Sequence, residues 1–166
     1  MLDERSTVFI YSDRMAAPDP ATYLGLRRAT EAYASGIDRR DAAKFLSAFH
    51  PDARLHIHYP ATDEPMSMMS GHEQLSRVTE VIQRYAQTCH FLGQSTFEVE
   101  DDEATGETYC LAHHLSPGLH GGDNLVMHIR YDEHLRRGAD GVWRFTDRAV
   151  LIDWLDRRVA LVVGAW

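Results

Sequence analysis

The stretch Thr88-Cys89-His90-Phe91-Leu92-Gly93 sets one imidazole at the point where helical spacing gives way to strand-like alternation. With an ordinary pKa of about 6.5, histidine moves a proton near neutral pH when a neighbour holds the ring and selects its tautomer. A carboxylate does this, and the candidate is Asp38, about fifty residues upstream in Ser35-Gly36-Ile37-Asp38, where one helical pattern ends and another begins. Tyr33 lies five residues before Asp38 on a neighbouring face of the same helix and is expected to look toward the same cavity. One histidine among 10 does not make a site, so the reading rests on what the rest of the chain brings to it.

Arg148 shares strand parity with Val150, Ile152 and Trp154. A charge on an apolar face is costly unless paired, so Arg148 either sits in a buried ion pair, with Asp38 or Asp147, or points into a polar cavity. In a cavity its guanidinium would stabilise negative charge on a leaving group or an enolate-like intermediate. His113 and His114 are adjacent on a strand, so one faces in and the other out, and either is a second proton-transfer group for His90. The rings of His56-x-His58 project from one strand face, but no third ligand stands at a recognisable spacing, and no metal is expected. The chain has no G-x-S-x-G, no phosphate-binding loop and no dinucleotide-binding glycine fingerprint. Cys89 and His90 point apart on a strand and form no dyad.

The elements that must position these groups are legible in part. Residues 1–18 read as an arm with at most a short strand over Val8 to Tyr11. Asp19 is placed to cap a helix with Pro20 in its first position. Tyr23, Leu26, Thr30, Tyr33 and Ile37 then recur at helical spacing and carry the first helix to Asp38. A second short helix presents Ala42, Phe45, Leu46 and Phe49 on one side and stops at His50-Pro51-Asp52. Leu55, Ile57 and Tyr59 alternate with Arg54, His56 and His58 as in a half-buried strand. A loop from Pro60 to Met69 carries Met66, Met68 and Met69, flexible fillers that suit a pocket mouth or plain packing. Ser70-Gly71-His72-Glu73 has the form of a capping box, and Leu75, Val78, Ile82 and Tyr85 continue it as a third helix that ends before His90. Strands follow at about 89–100, 105–116, 123–136 and 142–155, joined by short turns and therefore antiparallel. Helices followed by a meander is the α+β pattern, in which a curved sheet wraps a helical layer and leaves a cavity between them.

A chain of 166 residues, 44% hydrophobic and 25% charged, suits one soluble domain. The formal net charge of −8 argues against a nucleic-acid partner. No run approaches the roughly 20 apolar residues of a membrane span. Val8 to Tyr11 is too short for a secretory signal, and two cysteines, Cys89 and Cys110, suit a reducing compartment, so a cytoplasmic location is expected. The apolar tail Leu155 to Trp166 is expected to close its own pocket or pack on a neighbour, giving a dimer or trimer.

These motifs resemble the SnoaL-like branch of the nuclear transport factor 2 superfamily, an α+β cone with a cystatin-like fold, over roughly residues 20–156. The closest in motif are scytalone dehydratase, hexachlorocyclohexane dehydrochlorinase and bile acid 7α-dehydratase. In that group an Asp ending the first helix and a His opening a strand after the third helix form a dyad, which Gly36-Ile37-Asp38 and Cys89-His90-Phe91-Leu92-Gly93 match. The turn and strand Asp140-Gly141-Val142-Trp143-Arg144-Phe145 also match, with Trp154 further along. Arg148 falls where the dehydrochlorinase has an arginine. Tyr33 falls where the bile acid enzyme has a tyrosine and the dehydrochlorinase a lysine. His114, or His113 with a one-residue slip, answers to a second histidine of scytalone dehydratase, whose strand tyrosine maps onto Ile57 or Tyr59. The resemblance implies a SnoaL-like domain over 19–156, with an arm at 1–18 and a tail at 157–166.

The function implied is a cofactor-independent lyase that eliminates water or halide from a small hydrophobic cyclic, aromatic or polyketide-like substrate. His90 is the expected base, with Asp38, Tyr33 and Arg148 beside it, and Tyr59, His114, Phe49 and Trp154 are expected to touch substrate. The alternatives are an isomerase or cyclase using the same dyad and a non-catalytic ligand-binding module.

Overall fold

The computed structural model describes residues 17–59, 64–116 and 122–160. The first helix, α1 (Pro20–Arg39), starts as its sequence dictates. The Asp19 carboxylate accepts from the Ala21 and Thr22 amides at 2.9 and 3.2 Å and so caps the helix. Pro20 occupies the first turn, where its missing N–H is not needed. At the other end Arg40 takes a left-handed conformation, φ 56°, and donates its amide back to the Ile37 carbonyl at 3.1 Å. A Cβ on Gly36 would lie 2.5 Å from the Phe45 backbone nitrogen, so a glycine is required for α2 (Ala42–Ser47) to fold back under the end of α1. Asp38 therefore stands on a last turn held from below.

Among the described residues six strands follow, β1 (Phe49–His58), β2 (Ser67–Ser70), β3 (Gln87–Glu100), β4 (Glu103–Ser116), β5 (Gly122–Arg137) and β6 (Trp143–Ala160). They form one mixed sheet in the order β2-β1-β6-β5-β4-β3. The four long strands are the expected antiparallel meander, and β1 returns to lie parallel to β6, with Leu55 opposite Arg148. The sheet wraps α1 in an α+β cone. Leu26, Tyr33 and Ile37 of α1 meet Phe45, Leu55, Tyr131, Leu135 and Phe145 in the core.

Several boundaries differ from the sequence reading. β1 begins at Phe49 rather than Arg54, because an irregular register between the two absorbs Pro51. β2 occupies part of the expected loop, pairing Ser67–Ser70 with residues 54–57. The third helix is broken into α3 (Gly71–Leu75), α4 (Arg77–Val81) and a 3₁₀ turn at Ile82–Arg84. At the break Ser76 Oγ donates to the Glu73 carbonyl at 2.8 Å and Thr79 Oγ1 to that of Ser76 at 2.8 Å, so hydroxyls compete for backbone acceptors. Ser70 makes no side-chain cap. Its amide donates to Gln74 Oε1 at 2.9 Å instead. β6 runs past Leu155 to Ala160, while the arm with Val8 to Tyr11, and the tail from Leu161 to Trp166, lie outside the described residues.

Two arginines, one in α1 and one just after it, fasten the helix to β3 and to the residues that lead into β3. Arg27 Nη1 donates to the Gly93 carbonyl at 2.9 Å, and Arg40 Nη2 donates to the Tyr85 and Ala86 carbonyls at 2.7 and 3.0 Å. Asp38 and His90 sit between these fastenings, which fix the helix end against the strand start.

Candidate active site

His90, the fourth residue of β3, meets Asp38 twice. Its ring Nδ1 lies 2.7 Å from Asp38 Oδ1, and its backbone amide donates to Asp38 Oδ2 at 2.8 Å. Two oxygens gripping ring and backbone of one residue allow the imidazole a single orientation. Because Oδ1 accepts, the proton belongs on Nδ1 and Nε2 is the ring nitrogen left to take another. Burial raises the Asp38 carboxyl, but the hydrogen bond and charge of the His90 ring outweigh it and the net direction is down. The carboxylate stays ionised.

The His90 ring, its side chain 5% exposed, borders a cavity of about 290 Å³ between sheet and helices. Ile37, Ile57, Val78, Met127, Val150 and Ile152 give it an apolar wall. Tyr33 stands edge-on to His90 with ring centroids 6.4 Å apart, and His114 does so at 5.8 Å. Of the two adjacent histidines it is His114 that faces inward, against Tyr85, while His113 Nδ1 pairs with Asn124 Nδ2 at 3.0 Å. Burial drives the His114 ring down to about 4, helped by the charge of His90, so it is neutral at pH 7. Its Nδ1 has no hydrogen-bond partner among the described residues. Burial pushes the Tyr33 phenol up to about 12, against the pull of Arg148. Tyr59, Met66 and Met69 line the cavity as well, Met66 from an exposed position, whereas Met68 is exposed and does not line it.

Three expected residues are elsewhere. Arg148 is fully buried behind the cavity wall, not in it. Its Nη2 lies 3.1 Å from Glu133 Oε1, and its guanidinium sits 4.1, 3.9 and 4.3 Å from the ring centres of Tyr33, Tyr131 and Phe145. The partner is neither Asp38 nor Asp147 but the residue directly across the β5–β6 ladder. Phe49 is 1% exposed and packs on Tyr33, Phe45 and Phe145, a core residue rather than a contact for a ligand. Trp154 is on the outer face, 54% exposed and stacked on His128 at 4.1 Å. The cause is a bulge: His128 pairs with Trp154 but Ile129 with Ile152, and the extra residue reverses the alternation that Arg148, Val150 and Ile152 obey.

The sequence profile of the SnoaL-like domain matches residues 21–149. The chain belongs to the SnoaL-like family. Its place in the nuclear transport factor 2 superfamily agrees with the cone and with solved structures. The hexachlorocyclohexane dehydrochlorinase LinA-type3 from Novosphingobium barchaimii LL02 is 18% identical over 87% of this chain and 96% of its own, with a TM-score of 0.70. A LinA type 2 structure is 18% identical over 87% and 94%, with a TM-score of 0.72. A scytalone dehydratase-like protein from Novosphingobium aromaticivorans DSM 12444 is 17% identical over 88% and 95%, with a TM-score of 0.69. At such identities the likeness shows the fold alone. A search of curated proteins returned no match.

Some residues in and behind the wall of this SnoaL-like cavity escaped the sequence reading. Glu133 shares the inward parity of Ile129, Tyr131 and Leu135 on β5, the same signal that singled out Arg148, and each charge is the reason the other is tolerated. Arg77, Arg84 and Tyr85 reach the cavity from α4 and the turn after it. An unbroken third helix gave no reason to turn them that way. His56 Nε2 lies 3.2 Å from Asp147 Oδ2 on the opposite side of the sheet from His90. Among the described residues no helix is long and apolar enough to cross a membrane.

Proposed function

We propose that this SnoaL-like chain is a lyase that eliminates water or a halide from a small hydrophobic cyclic or aromatic substrate. The observation that carries the reading is the double contact of Asp38 with His90 at the edge of an apolar cavity. His90 Nε2 removes a proton from carbon, and the electrons of that C–H bond become the new C=C bond. The bond to the leaving group breaks on the neighbouring carbon and its electrons depart with hydroxide or halide. Asp38 holds Nδ1–H and stabilises the imidazolium that forms, without taking the proton itself. Tyr33, protonated at neutral pH because burial raises its phenol, donates to the departing group or to an adjacent oxyanion, and His114 stands where it offers a second contact. Arg148 acts from behind through the Tyr33 and Tyr131 rings. The reaction draws on side chains alone.

The test is a screen of β-hydroxy carbonyl compounds and halogenated rings, read by mass and by released halide, with wild type and His90→Ala in parallel. Loss of water or hydrogen halide that vanishes in His90→Ala supports the reading. A product of unchanged mass would assign the same dyad to isomerisation or cyclisation, and ligand binding without turnover would leave a binding module.

A further inference from the structure

The cavity beside His90 carries formal charge of one sign on its walls. Arg77 and Arg84 line it from the α4 side, and among the described residues no aspartate or glutamate does. This is unusual for a chain with a net charge of −8. Elsewhere eight described arginines are ion-paired. Glu80 stands three residues after Arg77 and four before Arg84, the spacings at which helical ion pairs form. Neither arginine is ion-paired with it or with any other described carboxylate. Arg84 instead donates to the Tyr85 hydroxyl at 3.0 Å and lies 4.9 Å over that ring, contacts that direct the guanidinium and leave its charge uncompensated. Tyr85 in turn packs on His114 at 4.7 Å, so the cation is linked to the inner groups by a row of rings.

We propose that the cavity takes an organic anion, with an apolar body of one or two rings against Ile37, Val150 and Ile152 and a carboxylate or phosphate group held by Arg77 and Arg84. The guanidinium fork matches either anion, and the exposed heads give up little hydration in meeting it. A cavity of about 290 Å³ is at the small end for a ligand site, which sets the size of the body. The assignment rests on the proposed reading that this cavity receives the substrate, and it narrows that substrate to an acid.

Calorimetric titration of the full chain with 2-naphthoate, 2-naphthyl phosphate and 2-naphthamide, which share one ring system, tests it. At low salt at least one anion is expected to bind about tenfold more tightly than the amide, the preference shrinking as salt rises. The naphthoate and phosphate arms tell the two anions apart. The double variant Arg77→Gln/Arg84→Gln should bring the anions to the affinity of the amide while leaving the amide unchanged, and Arg77→Lys/Arg84→Lys should keep most of the preference. Equal or tighter binding of the amide, binding by none of the three, or a preference that survives the glutamine variant would overturn the proposal. His90→Ala should retain the preference, so turnover surviving in that variant would remove the elimination reading alone.

Discussion

Replacing Glu133 by Gln tests how the fold carries a guanidinium in its core. Glu133 and Arg148 are both fully buried, their contact is 3.1 Å, and Glu133 also accepts from Thr30 Oγ1 and Thr108 Oγ1, each at 3.1 Å. Removing the carboxylate leaves Arg148 charged with only three aromatic faces against it, and stranding a buried charge typically costs about 3–5 kcal/mol. For a chain of this size that lowers Tm by about 10 °C. Arg148→Met probes the other side. Burial already raises the Glu133 carboxyl against the pull of Arg148, and without the cation it rises further. A group whose folded pKa is raised stabilises below its unfolded value and loses that contribution as pH climbs toward the folded one. Stability of Arg148→Met should therefore fall as pH rises above about 4.5, by at most about 1.4 kcal/mol per unit. The pair Arg148→Met/Glu133→Leu removes both charges and should recover most of the loss with no such slope. Urea unfolding of the four proteins from pH 4.5 to 8 decides it. A cost under about 1 kcal/mol for Glu133→Gln, with no pH slope in Arg148→Met, refutes the reasoning.

Three further outcomes follow from the cavity and the outer face. Because burial holds the His114 ring near 4, the unfolded chain binds a proton that the fold refuses, so wild type should lose about 3 kcal/mol as pH falls from 6.5 to 4. His114→Gln should flatten that part of the stability curve, and an unchanged curve counts against a neutral buried ring. Tyr33→Phe keeps the ring over Arg148 and removes only the hydroxyl, so kcat should fall about 10²–10³-fold with KM little changed; full activity removes Tyr33 as the donor. Phe91, Tyr109 and Trp154 are exposed, so light scattering should give two or three times 18.9 kDa. Phe91→Ser/Trp154→Ser should lower that mass without altering affinity for a cavity ligand, and a monomeric wild type contradicts the assignment.

The dyad was legible because each partner stands near the limit of an element: Asp38 in the last turn of a helix that Asp19, Pro20 and Gly36 delimit, and His90 among the first residues of a strand. Arg148 was half legible. Alternation put a charge on the inward face, but its partner lay across a ladder whose register no local pattern reveals. Trp154 was misplaced by the same alternation, since a bulge near Asp153 depends on how β5 and β6 pair and leaves no mark in either strand alone. Phe49 was read as part of the helical stripe of Ala42, Phe45 and Leu46, but its parallel pairing with Phe145 of β6 makes it the first residue of β1. Arg77 and Arg84 reach the cavity from segments beyond a break at Ser76, in a helix that hydrophobic spacing alone makes continuous.

Proton abstraction by His90 depends most directly on the state of its ring. A long-range proton–nitrogen correlation spectrum of the His90 imidazole at pH 7.5 should show the proton on Nδ1, shifted downfield by its bond to Asp38 and slow to exchange, with Nε2 bare, and Asp38→Asn should abolish that signature. A proton on Nε2, or a ring averaging between tautomers in wild type, would contradict the claim that Asp38 prepares His90 to take a proton.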